Sequence, residues 1–179
     1  MRVLFPLAFA SIILSACDNN VAESKPAENK TATATVPPAE FADARFVESG
    51  KSFLKKFEEG DIDAWMEQFA ENAVFSFSSG DSLAGKKAIA EYWKDRRKNV
   101  IQSIKFSNDI WLPVKINQSQ KGPDRQGNWL LCWYQVEGVY NGKTLNFWVH
   151  TDLHFDENDK VDRAIQYVDR APIQAAMKQ

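Results

Sequence analysis

The Asn141-Gly142 pair, set between two long alternating runs, constrains this chain more than any other feature. A two-residue type I′ turn needs positive φ at both central positions, which Asn-Gly supplies at little cost. Such a turn allows one register, with Tyr140 opposite Lys143, and every pair outward follows. Val149 then faces Tyr134, Thr151 faces Cys132 and Leu153 faces Leu130, while His150 faces Trp133, Asp152 faces Leu131 and His154 faces Trp129. One face of the ribbon carries Leu130, Cys132, Tyr134, Val136, Leu145, Phe147, Val149, Thr151, Leu153 and Phe155, and must meet a core. The other carries Trp129, Leu131, Trp133, Gln135, Trp148, His150, Asp152 and His154, a mixture that suits a partly solvated surface or a subunit interface. Trp129, Trp133, Trp148 and His150 are the candidates for a homodimer contact through this outer face.

The spacing of His150, Asp152 and His154 raises the question of a metal. Strand residues rise about 3.4 Å each, so the two histidine Cα atoms stand roughly 13–14 Å apart. Metal–nitrogen bonds of about 2 Å cannot gather three parallel side chains across that span. Neither a metal site nor a cofactor is expected.

The region before the hairpin reads as helices. Phe46, Val47, Gly50, Phe53, Leu54 and Phe57 form one helical stripe ended by Gly60. Asp61 caps a short second helix carrying Ile62, Trp65, Met66 and Phe69. Ala73 to Ser78 alternates like a strand, and Lys86 to about Val100 is a third helix with Ala88, Ile89, Tyr92 and Trp93 inward. The Asp95–Lys98 run (DRRK) reads as a solvated helix face. Ile104, Phe106, Asn108, Ile110, Leu112, Val114 and Ile116 alternate along a strand before the hairpin, Val161 to Val168 is a last strand, and the tail forms a helical turn. Helices first and an antiparallel sheet after make an α+β fold. A formal net charge of −2 argues against a nucleic-acid partner.

The N-terminal MRVLFPLAFASIILSAC pairs one cation with an apolar run too short to span a bilayer, which takes about 20 residues, so residues 1–16 read as a signal peptide. Leu14-Ser15-Ala16-Cys17 resembles the lipobox of bacterial lipoproteins, which implies lipidation of Cys17 and a membrane anchor on the periplasmic side. Asp18 resembles a signal for retention in the inner rather than the outer membrane. Residues 17–40, rich in Ala, Thr, Pro and charge without apolar periodicity, read as a disordered tether. One domain is expected from residue 41 to 179.

That domain resembles the nuclear-transport-factor-2-like superfamily, nearest its SnoaL-like and ketosteroid-isomerase-like branches. The carrying residues are EEGDIDAWMEQFAENAVF, GKKAIAEYW and LHFDENDKV. The resemblance implies a curved antiparallel sheet wrapped around about three N-terminal helices, a cone with a pocket. Its members include isomerases, cyclases, dehydratases and non-catalytic binders. The isomerase branch's base, oxyanion-hole acid and oxyanion-hole tyrosine fall here on Ser76, Thr151 and Phe53, none of which can do that work, so no catalytic residue is assigned. Phe53, Ser76, Tyr134, Phe147, Val149 and Thr151 are expected to line the pocket. The expected function is binding of a small apolar ligand, or service as an accessory or interaction module. The alternative is an isomerase, cyclase or dehydratase acting on a hydrophobic carbonyl compound, with His150 or Asp152 as base if the sheet faced the other way.

Overall fold

Helix α1 (Arg45–Glu59) stops where its sequence permits: Gly60 adopts φ 81°, and its N–H closes the last turn on Phe57 O. The stripe Phe46, Gly50, Phe53, Leu54 and Phe57 is buried along its length. Asp61 accepts from Ala64 N and starts α2 (Ile62–Met66), which buries Ile62, Trp65 and Met66. A strand β2 (Phe69–Phe77), a three-residue strand β3 (Ser82–Ala84) and helix α3 (Lys86–Asn99) follow. Then come β4 (Ile101–Ile116), β5 (Gly127–Tyr140), β6 (Lys143–Phe155), β7 (Val161–Tyr167) and α4 (Ala171–Met177). The computed structural model describes residues 35–119 and 125–178. The readings of the apolar leader, of Cys17 and of the tether as far as residue 34 lie outside the described residues.

The segment expected to be tether up to residue 40 ends in structure. Ala39–Phe41 forms a strand, β1, antiparallel to the end of β4. Pro37 O and Pro38 O accept from Asn117 Nδ2 and Asn117 N, which fixes the approach to that strand.

Among the described residues the strands form one sheet in the order β1-β4-β5-β6-β7-β2-β3. It is antiparallel except for the pairing of β2 with β7, which is parallel. The central hairpin has the register that its turn dictates, from Tyr140↔Lys143 through Tyr134↔Val149 and Cys132↔Thr151 to Trp129↔His154. Strand β4 departs from simple alternation. Between Ser107 and Ile110 the register slips, with Asn108 at φ 54°, so the residues beyond point the other way. Ile104 and Phe106 pack on the core, Trp111 takes the next inward position, and Ile110 is 56% exposed on the outer face. A second slip lies between Ile101 and Ser103, and the Glu58 carboxylate of α1 accepts the Phe106 N–H.

The inner face of the sheet meets α1, α2 and α3 around an aromatic core in which Trp65 touches Phe53, Phe57, Phe69 and Trp93, with ring centroids 4.7–6.1 Å apart. Gly50 sets the closest approach of α1 to the sheet. A Cβ there would lie 2.4 Å from Leu130 Cδ2 and 2.5 Å from the Trp111 ring.

Candidate functional site

Side-chain parity along five strands decides what faces inward. One cross-strand row runs Trp111, Cys132, Thr151, Gln166, Phe77. Tyr134 and Val149 pair directly in the next position inward along the hairpin, and Phe106, Val136 and Phe147 form a further row. Between these rows and the helices lies a cavity of about 300 Å³. That is at the lower end of the roughly 300–1,000 Å³ found for small-molecule sites. Its inner wall is buried: Phe53, Trp65 and Phe75 from the helices and β2, with Tyr134, Val149 and Thr151 from the sheet. Its outer end is formed by Tyr92 and Arg96 of α3, by Val100 just past that helix, by Arg170, and by Ile173, Gln174 and Met177 of α4. Gln174 and Met177 are exposed, so this end is the mouth.

The polar groups of the inner wall are few and adjacent. Tyr134 Oη and Thr151 Oγ1 lie 2.9 Å apart in a fully buried hydrogen bond. One hydroxyl donates to the other, and the second hydrogen is left to bond elsewhere. Burial pushes the Tyr134 phenol far above its ordinary value, with Thr151 and Gln166 pulling the other way, so it stays protonated at any physiological pH. Tyr140, which also lines the cavity, is pushed up to about 12, chiefly by burial. Among the described lining residues none carries a carboxylate, an imidazole or a thiol, and both charged ones, Arg96 and Arg170, are cations.

Phe53, Tyr134, Phe147, Val149 and Thr151 all line the cavity. Ser76 does not. Its partner in β7 is Ile165, which in turn pairs with Asp152, so Ser76 belongs to the outer row. Along a strand one residue changes the face, so Ser76 lies between two inward positions. The inward positions of β2 are Phe75 and Phe77, which still bring no carboxylate to the cavity.

The outer face holds both histidines. His150 stacks between Trp133 and Tyr167, with centroids 4.4 and 5.4 Å away. Its Nδ1 is 3.1 Å from Cys132 O. Its Nε2 is 2.8 Å from Asp152 Oδ1, off the line of a hydrogen bond. His154 is buried, with Nδ1 2.5 Å from Asp162 Oδ1 and Nε2 3.0 Å from Gln126 O. Among the described residues no group of three or more His, Cys, Asp or Glu side chains is gathered as metal ligands would be. The expected interface set is split. Trp148 is 53% exposed, and Trp133 and His150 are half-buried. Trp129 is only 4% exposed, because its Nε1 donates to Arg125 O and the chain around residues 125–127 covers it. Trp129 is therefore no part of an exposed face.

Burial raises the Asp152 carboxyl above its ordinary value, against the opposing pull of His150. The folded state thus holds that proton more tightly than the unfolded chain does. The contribution of this group to stability is accordingly fullest below the ordinary carboxyl value of about 4 and is lost as pH rises toward the raised folded value, by at most ~1.4 kcal/mol per pH unit of that window. Asp152→Asn is expected to flatten this fall in chemical-denaturation midpoints measured from pH 4 to 8. An unchanged slope would remove Asp152 as its source.

A model of the SnoaL-like domain matches residues 51–164. The chain belongs to the SnoaL-like domain family. Solved structures of similar fold include a proposed isomerase from Bacillus subtilis, 21% identical over 74% of this chain and 91% of that one, with a TM-score of 0.59. A proposed polyketide cyclase from Xanthomonas campestris pv. campestris is 18% identical over 74% and 96%, with a TM-score of 0.59. An LEH-like epoxide hydrolase from M. tuberculosis is 14% identical over 74% and 88%, with a TM-score of 0.51. At these identities the likeness is one of fold, the nuclear-transport-factor-2-like cone. No curated protein compared with the chain matches it. The SnoaL-like cone accounts for the inward rows, but the Arg96, Arg170 and α4 lining was not read from the sequence. The spacing of Ile89, Tyr92–Trp93 and Arg96 on one α3 stripe places Arg96 on the inner side.

Proposed function

We propose that the SnoaL-like domain binds a small, largely apolar ligand and holds it at a membrane surface through lipid on Cys17. The cavity carries the first part of this reading. It is apolar, has one buried hydroxyl pair to orient a polar atom of the ligand, and has no acid–base pair among its described lining residues. A ligand that binds only the folded state raises its melting temperature. A thermal-shift screen of small ketones, alcohols and acids should therefore yield stabilising compounds. Tyr134→Phe and Thr151→Val should each weaken a hit by about 3–10-fold, the worth of one neutral hydrogen bond. A screen with no hits, or hits indifferent to both changes, would overturn the binding reading.

The leader and lipobox support the anchor. Incorporation of a fatty-acid analogue that is lost on Cys17→Ser tests it, and a label surviving that change refutes it. We also propose a homodimer through the outer face, where Ile110, Trp133, His150 and Tyr167 form one cross-strand row beside Trp148. Sedimentation showing a monomer, unaltered by Trp148→Ala, would exclude it.

A catalytic reading on a hydrophobic carbonyl compound is favoured by the Tyr134 hydroxyl, a donor inside an apolar cavity. It requires turnover of a bound ketone that Tyr134→Phe abolishes while binding persists.

A further inference from the structure

We propose that the ligand is an amphiphile with a single carboxylate, its apolar body inside the cavity and its charge at the mouth on Arg96. This rests on the cavity-binding reading and adds the chemical class of the ligand.

The charged residues that line the cavity are of one sign. The charged lining residues are both arginines. Arg170 is already committed: its Nη1 lies 3.4 Å from Asp81 Oδ2 and 3.1 Å from Ser79 Oγ, and its guanidinium covers the Phe77 ring. Arg96 differs. Among the described residues its contacts are the Met177 thioether, 3.0 Å from Nη1, and the Tyr92 ring, 5.1 Å from Cζ. A thioether is a weak acceptor, and a ring face satisfies a guanidinium only in part. No ion pair to a carboxylate holds Arg96 among the described residues, although Asp43, Asp81 and Asp162 each pair with an arginine elsewhere.

The occupant of that position is easily displaced. Met177 is 40% exposed and is the last residue of α4, a helix of seven residues. Thioether side chains are flexible. A carboxylate arriving at Arg96 would exchange a weak contact for a charge-assisted, two-pronged one, which is roughly twice as strong as a neutral hydrogen bond. A neutral ligand gains less from this exchange, and a cationic one is repelled by Arg96. The mouth therefore selects by charge, while the buried wall selects by shape. The Tyr134–Thr151 pair lies on that buried wall, and no hydrogen bond among the described residues joins it to Arg96.

The test titrates the purified full-length protein with decanoate, decan-1-ol and decyltrimethylammonium, each below its micelle-forming concentration. Tryptophan fluorescence reports binding, since Trp65 and Trp93 line the cavity. Decanoate should bind at least about tenfold more tightly than decanol, and the ammonium compound least. Arg96→Gln should abolish the preference for decanoate and leave decanol affinity within about twofold. Arg96→Lys should keep part of the preference, and Arg170→Gln most of it. Equal affinities for decanoate and decanol, or a preference that survives Arg96→Gln or disappears with Arg170→Gln alone, would overturn the proposal and leave cavity binding standing. Binding of none of the three, with no hit in the thermal screen, would overturn both.

Discussion

Replacing Trp65 with alanine is expected to lower the unfolding free energy by about 3–5 kcal/mol, the range for emptying a large aromatic site in a core. Trp65 is 1% exposed and contacts four aromatic rings from three elements, Phe53 and Phe57 of α1, Phe69 of β2 and Trp93 of α3. Its indole N–H has no hydrogen-bond partner among the described residues, so the loss is chiefly one of packing. Urea denaturation should show a lowered midpoint with an unchanged slope. Because Trp65 also lines the cavity, the variant should accept bulkier ligands than the parent. A destabilisation below ~1 kcal/mol would mean that the neighbouring rings collapse into the space, and the cavity would then not enlarge.

The second large effect is expected at Gly50, where the usual sign is reversed. Glycine to alanine within a helix ordinarily stabilises by up to about 1 kcal/mol. Here the added methyl would meet Leu130 Cδ2 and the Trp111 ring at 2.4–2.5 Å, and Leu130 is fully buried. Gly50→Ala should destabilise by about 1–3 kcal/mol through overpacking. Adding Leu130→Ala should make the two changes less than additive, since each relieves the other. A stabilised Gly50→Ala variant would show that α1 does not lie against the sheet at this residue.

What was legible in the sequence followed from local chemistry that permits one answer. Asn141-Gly142 fixed the hairpin register, and Gly60 with Asp61 fixed the break between two helices. Three-residue strands such as β1 and β3 carry no periodicity to read, and a tether rich in Pro and Ala looked unstructured to its last residue. Parity errors arose where a residue is inserted or miscounted. The slip at Asn108–Asp109 turns Ile110 outward, and Ser76 sits on the outer row between Phe75 and Phe77. Trp129 and His154 pair on the outer row, but cover from residues 125–127 is a tertiary fact with no local sign. Arg96 was missed because a cation in a charged run reads as solvated, although its aliphatic stem can line an apolar wall.

The irregular margin of β4 has a consequence for how copies of this protein behave when crowded. An extended strand with free amides invites a neighbour to zip onto it and seed fibrillar growth. Here two register slips bend that strand, a glutamate from α1 occupies one of its amides, and β1 seals its far end. This margin gives neighbouring molecules no straight template to lengthen.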